Sequence, residues 1–323
     1  MCKLFSHRRT QDLYVITTIF NPQRYKSRIS LYKEFEERML EAGVTLIVVE
    51  ANLRHHHPEI TERKSKKHHI VHVDAECELW LKENLINIGI EYLTERFPNW
   101  KYVAWIDADL AFVRPDWVHE TKRLLHKHPI IQMFSHLVQL GKNYEQLHGH
   151  NLSFMEGWTR GLAHQNKKPS GEDPTKMRYG WCGAPGGAWA ASRECIDRIF
   201  PLLDIGILGS GDFHMAAALM QYADMTLTYT YTDGYKYAIH EWQKKVKWLC
   251  GNVGHMKGLI LHYWHGAIKN RGYDVRWSFL VKHFYNPYLD LKKNKQGVYF
   301  IPKKEALIAD IQKYFQSRKE DEI

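Results

Sequence analysis

Residues 102–112 read YVAWIDADLAF: an apolar and aromatic run that meets two aspartates, Asp107 and Asp109, with one alanine between them. A continuous apolar run of that length is the pattern of a strand buried on both faces, as in a parallel sheet. The carboxyl end of such a strand is where open α/β sheets place their ligands. Residues i and i+2 of an extended chain point to one side, so the two carboxylates converge if the chain stays extended past Ile106. Two like charges that close repel strongly unless one takes up a proton or a cation sits between them. Carboxylate oxygens are hard ligands suited to Mg²⁺ or Mn²⁺. The pair is therefore expected to hold a divalent cation, which in turn holds a phosphate.

The neighbouring segments alternate between strand and helix patterns. DLYVITTIF (residues 12–20) reads as a first strand stopped by Asn21-Pro22, and residues 29–43 show helical spacing ending at Gly43. Residues 44–51 read as a second strand, and residues 54–69 as a His- and Lys-rich loop. The three consecutive histidines in that loop lack the i, i+4 spacing that gathers metal ligands on a helix. Its two readings are a solvated excursion and a loop contacting a polyanion.

A strong helix is expected over 78–97, a helix from Pro115 to about Leu125, and a short strand PIIQMF after it. Residues 135–181 are polar and aromatic with weak periodicity, a long excursion suggestive of function. GGAWAAS (186–192), TLTYTYT (226–232) and LILHYWH (259–265) read as strands, and the tail as an amphipathic helix. Strands alternating with helices give an α/β chain with a mostly parallel sheet.

Composition narrows the class. The 323 residues are 44% hydrophobic and 25% charged, enough for a real core. The net charge of +9 favours anionic partners such as nucleotide phosphates, nucleic acid or a membrane surface. Five scattered cysteines without a C-x-x-C pair argue against a disulfide framework and a structural zinc site. The N-terminus shows no apolar signal region, and no apolar run is long enough to span a bilayer. A cytoplasmic protein without a transmembrane segment is expected.

With these segments in order, the chain resembles GT-A fold nucleotide-sugar glycosyltransferases of the D-x-D type. YVAWIDADLAFVRPDW looks like their D-x-D region, LWLKENLINIGI precedes it, and GAPGGAWAASRECI and ILGSGDFHMAAAL follow. The order of the segments carries the resemblance, over most of residues 12–290. It implies one GT-A-like domain over residues 1–290 and a helical C-terminal extension over 291–323. By the same resemblance, Asp107 and Asp109 bind Mn²⁺ or Mg²⁺ and the donor diphosphate. Thr17, Thr18 and Asn21 lie by the base and ribose, and Lys82, Asn84 and Asn87 supply donor contacts.

Gly183, Gly186 and Gly187 let the backbone approach the donor sugar. The resemblance implies that Asp212 takes the proton of the acceptor hydroxyl in an inverting transfer, although an aspartate before an apolar helix also suits a helix N-cap. It likewise implies that His262 or His265 completes the metal shell and that Lys269 and Arg271 pair with the diphosphate.

The expected reaction moves a hexosyl or pentosyl group from a nucleoside diphosphate sugar to a hydroxyl. A hydroxymethylated base in DNA, as in bacteriophage genome modification, is one acceptor that suits the basic charge. A cytosolic glycan, lipid or protein acceptor is the alternative. Two readings of another class remain open. One is a haloacid-dehalogenase-like phosphohydrolase with Asp107 as nucleophile, against which stand Ala111 where that family often has Thr and the motif's place a hundred residues in. The other is a non-catalytic polyanion-binding module.

Overall fold

The computed structural model describes residues 12–61, 63, 65–147, 150–162, 182–273 and 275–322. Two sheets position the site. Their strands are β1 (Leu13–Phe20), β2 (Thr45–Leu53), β3 (His68–Ala75), β4 (Tyr102–Ile106), β5 (Leu110–Phe112), β6 (Ile130–Gln132), β7 (His136–Gln139), β8 (Asn151–Leu152), β9 (Ala188–Ser192), β10 (Val253–His255) and β11 (Leu259–His262). The larger sheet has the order β10-β6-β9-β4-β1-β2-β3. Its neighbours are parallel except at β9, which runs antiparallel to both β4 and β6. The smaller sheet, β5-β11-β7-β8, sits where the chain leaves β4. The α/β class with a mostly parallel sheet flanked by helices is thus the class observed.

Alternation along β1 explains why helices cover both faces. Leu13 and Val15 pack with Tyr32, Phe35 and Met39 of helix α1 (Lys26–Glu41) and with Trp117 and Leu124 of α3 (Trp117–Leu125). Ile16 turns the other way, toward Leu85, Ile86 and Leu93 of α2 (Lys82–Arg96). Burying each such side chain is worth roughly 1.5–3 kcal/mol. The C-terminal helix Glu305–Ser317 contributes Leu307, Ile311, Tyr314 and Phe315 to the core that α2 shares.

Several expectations change. β3 was not foreseen, because HHIVHVDA opens on polar residues; His68 is nevertheless buried, within 3.0 Å of both the Tyr32 hydroxyl and Glu36. The 54–69 loop therefore ends in a strand. TLTYTYT is not a strand but a short 3-10 turn, a loop and a helix cap. Its hydroxyls satisfy local groups instead: Thr226 donates to Ala223 O, and Thr232 accepts from Tyr235 N at the start of helix Asp233–Val246. Residues 291–323 are not wholly helical, since Lys292–Lys293 pair with Tyr299–Phe300. Of the 135–181 excursion, residues 148, 149 and 163–181 lie outside the described residues. No helix among the described residues is long and apolar enough to cross a membrane.

Candidate active site

A cleft of about 590 Å³ opens at the carboxyl end of β4. The backbone does not stay extended beyond Ile106. Asp107 N donates to Gly187 O (2.8 Å), and Leu110 N closes a turn on Asp107 O (3.3 Å). The turn gives the two aspartates different company, although both face the cleft.

Asp107 meets Lys82, the first residue of α2, whose Nζ lies 2.8 Å from Oδ1 and 2.9 Å from Oδ2. The same Nζ is 3.7 Å from Asp212 Oδ2. Burial works against the charge of Lys82, but Asp107, Asp212 and Glu83 outweigh it and hold its pKa above the ordinary value. Burial raises the pKa of Asp107 against the pull of Lys82, with Asp109 and Asp212 adding to the rise. Burial likewise pushes Glu83 up to about 8. At neutral pH Glu83 is mostly protonated beneath Gly211.

Asp109 instead meets two imidazoles from β11 and the segment after it. His265 Nε2 is 3.2 Å from Asp109 Oδ2, His262 Nε2 is 3.5 Å from Oδ1, and the two Nε2 atoms are 3.2 Å apart. β11 pairs antiparallel with β5, setting His262 opposite Leu110 in the register. His262 Nδ1 donates to Gln139 Oε1 of β7 (2.6 Å), which leaves its Nε2 facing Asp109. Burial, with Arg271 nearby, pushes His265 down to about 3 and so keeps it neutral. Burial opposes the charge of Asp109, but His262, His265 and Arg271 overcome it and hold the carboxyl well below its usual range.

These three residues fit a divalent cation. One ligand atom from each lies within 4.8 Å of the others. Asp109 Oδ1 is buried without a hydrogen-bond partner. An ionised carboxylate beside a neutral His265 is the protonation state that metal binding requires.

Asp212 lies on the opposite side of Lys82, in the first turn of helix Gly211–Leu219. The N-cap of that helix is Ser210, so Asp212 is not the cap. Its Oδ1 accepts from Phe213 N (2.8 Å), leaving Oδ2 toward the cleft. Gly186 makes room for it, since a Cβ there would sit 2.1 Å from Oδ2. Gly187 has φ 93°, a left-handed backbone that favours glycine, and this turn delivers the carbonyl that receives Asp107 N. Ser210, a non-glycine residue at φ 70°, carries backbone strain next to Asp212.

Of the other residues singled out from the sequence, Thr18, Gly183, Gly186, Gly187 and Arg271 line the cleft. Thr17 is buried away from it, and Lys269 is exposed outside it. Asn21 is occupied by Tyr25 N and O and by Glu59. Asn84 holds Gly297 O and Tyr299 N, while Asn87 holds Leu202 and Asp204. Both are buried structural residues of α2, whose helical register turns them from Lys82's side.

Sequence reasoning missed Gln139, Glu83, Trp80 and the arginines Arg28, Arg276 and Arg318, which also line the cleft apart from buried Glu83. The late Arg-rich stretches were the available signal, and only Arg271 was drawn from them. Three cations of the basic loop are engaged within the fold. Arg54 pairs with Glu76, Arg63 with Glu36 and Glu37, and Lys67 donates to Gly43 O.

No protein-family model and no curated protein sequence matches the chain. Among solved structures it is similar to a nucleotide-diphospho-sugar transferase from Desulfovibrio desulfuricans G20, at 10% identity over 95% of this chain and 98% of that one, with a TM-score of 0.36. It is also similar to Drosophila β1,4-galactosyltransferase 7 in complex with manganese, UDP-Gal and xylobiose, at 10% identity over 93% of this chain and 98% of that one, with a TM-score of 0.40. A glucose-1-phosphate thymidylyltransferase from Bacillus anthracis matches at 10% identity over 77% of this chain and 88% of that one, with a TM-score of 0.34. At such TM-scores the likeness decides nothing about function, which has to come from the cleft itself.

Proposed function

We propose that the protein is a metal-dependent glycosyltransferase that moves a sugar from a nucleoside diphosphate donor to an acceptor hydroxyl. One observation carries the reading. A cation-binding set (Asp109, His262, His265) and a second acidic group (Asp212, braced by Lys82) line the same cleft at the end of a parallel sheet. Two imidazoles and one carboxylate suit Mn²⁺ better than Mg²⁺, which prefers an all-oxygen shell. A cation bound there would offset the charge developing on the departing diphosphate.

The chain's own residues do the rest. Lys82 holds Asp107 and orients Asp212, so both carboxylates keep fixed positions as substrate enters. Asp212 Oδ2 takes the proton from the acceptor hydroxyl as that oxygen attacks the anomeric carbon. A base and an attacking hydroxyl on the face opposite the leaving group give inversion. Gly186 leaves the space that the Asp212 carboxylate fills.

The test is release of nucleoside diphosphate from a panel of nucleotide sugars, with Mn²⁺ and with a chelator, by wild type, Asp109→Asn and Asp212→Asn. The proposal expects one donor class to be turned over only with metal, and both variants to be slowed at least about a hundredfold. Metal-independent turnover, or a phosphoenzyme on Asp107, would overturn it in favour of phosphohydrolase chemistry.

A further inference from the structure

Beyond the metal cluster, one wall of the cleft is built from guanidinium groups. Arg28, Arg271, Arg276 and Arg318 all line it, and the last three are at most 5% exposed. Glu320 is engaged by Arg28 (2.6 Å) and Arg318 (2.5 Å). Arg271 has no carboxylate within 4.0 Å among the described residues. Its contacts are long, 3.4 Å to the Tyr273 hydroxyl and 3.5 Å to Gly266 O, and its buried Nε has no hydrogen-bond partner. A buried guanidinium so loosely satisfied is costly unless an anion completes it.

The wall is held rigidly. The Tyr314 hydroxyl accepts from Arg276 (3.2 Å) and Arg318 (2.9 Å) and donates to Arg271 O (3.0 Å). Arg276 lies over the Tyr273 ring (5.0 Å) and the Trp80 ring (5.3 Å). Tyr273 therefore stands between Arg271 and Arg276, meeting one with its hydroxyl and the other with its ring face. Arg276 also lies on the loop that carries Asp212: a Cβ at Gly209 (φ 88°) would be 2.6 Å from its Nη2. The arginine wall thus reaches the segment three residues before the proposed base, where an acceptor has to sit.

We infer that Arg271 and Arg276, fixed by Tyr273 and Tyr314, form a subsite for a second anion, a phosphate or carboxylate group carried by the acceptor and distinct from the metal-bound diphosphate of the donor. The inference rests on the glycosyltransferase reading for its assignment to the acceptor, but the anion site itself does not. Planar guanidinium pairs suit such groups because each offers two parallel N–H donors. The acceptor class is then a hydroxyl compound bearing a negative group near the reacting hydroxyl, rather than a neutral glycan.

The experiment is calorimetric titration with inorganic phosphate, in the presence of chelator, against wild type, Arg276→Gln and Arg271→Lys. A second titration uses a nucleoside diphosphate with Mn²⁺, alone and in saturating phosphate. Expected are metal-independent phosphate binding, weakened about tenfold or more in Arg276→Gln, and nucleotide affinity changed by neither phosphate nor Arg276→Gln. Phosphate that displaces the nucleoside diphosphate would overturn the inference, because the wall then belongs to the donor. Absence of phosphate binding by wild type would overturn it as well. These wild-type arms need no variant to fold. If no nucleotide binds while phosphate does, the glycosyltransferase reading fails and the anion site stands.

Discussion

Replacing Gly186 by alanine separates the proposed chemistry from the fold. The added Cβ would lie 2.1 Å from Asp212 Oδ2, where ordinary contact begins at about 3.4 Å, so the carboxylate must withdraw by roughly 1.3 Å. That oxygen is the one 3.7 Å from Lys82 Nζ, and it is the proposed proton acceptor. A displacement of about 1 Å in a reacting group costs roughly a hundredfold in rate, equivalent to about 2.7 kcal/mol of barrier. The backbone at Gly186 is not left-handed, so alanine meets no backbone penalty there, and the cost of the change lies in pushing the Asp212 carboxylate aside. The expected result is turnover down about a hundredfold, a melting temperature no higher than that of wild type, and unchanged Mn²⁺ affinity, since Asp109 is not touched. Combined with Asp212→Asn, the change should add nothing further, because both remove one function. Donor turnover within about threefold of wild type, or losses that multiply in the double variant, would refute the placement of the base at Asp212.

Lys82→Met should cost roughly 1–3 kcal/mol in urea unfolding, because Asp107 loses its counterion in a partly buried site. The acid side of the cleft gives a pH signature. Between the ordinary carboxylate value and about 8, folded Glu83 keeps a proton that the unfolded chain has lost, so stability contributed there falls as pH rises through that window. Glu83→Gln should gain on wild type steadily from pH 5 to pH 8 in unfolding midpoint, and a parallel pair of curves would contradict the buried carboxyl. Glu320→Ala removes the carboxylate that faces His265 Nδ1 at 4.0 Å and pairs with two arginines. Mn²⁺ affinity should drop about tenfold, with a lower melting temperature, measured by calorimetry and thermal unfolding.

How much of this was legible in the chain depended on whether a signal was local. The buried run 102–106 with Asp107 and Asp109 is a local pattern, and it located β4, the sheet class and the floor of the cleft. β3 was hidden because its polar residues are satisfied by a distant helix: His68 is matched by Tyr32 and Glu36, about which residues 68–75 carry no information. TLTYTYT looked like a strand because Thr and Tyr favour strands, yet hydroxyls serve equally well to cap and turn. The two aspartates were expected to share one cation, but a turn after Ile106 gives Asp107 to Lys82 and Asp109 to two histidines more than 150 residues later. Asn84 and Asn87 were read as a polar face, whereas their amides fasten α2 to the segments at 202–204 and 297–299. The arginine wall has no linear motif, since residues 28, 271, 276 and 318 meet only in the fold.

The most direct measurement of the central claim is the electron paramagnetic resonance signal of free Mn²⁺ during titration into wild type, Asp109→Asn and His265→Ala, with and without a nucleoside diphosphate. The account predicts that wild type takes up one Mn²⁺, that the nucleotide tightens its binding, and that both variants leave the ion largely free. Equal uptake by wild type and both variants, or uptake indifferent to every nucleotide, would contradict a metal-held diphosphate at Asp109, His262 and His265.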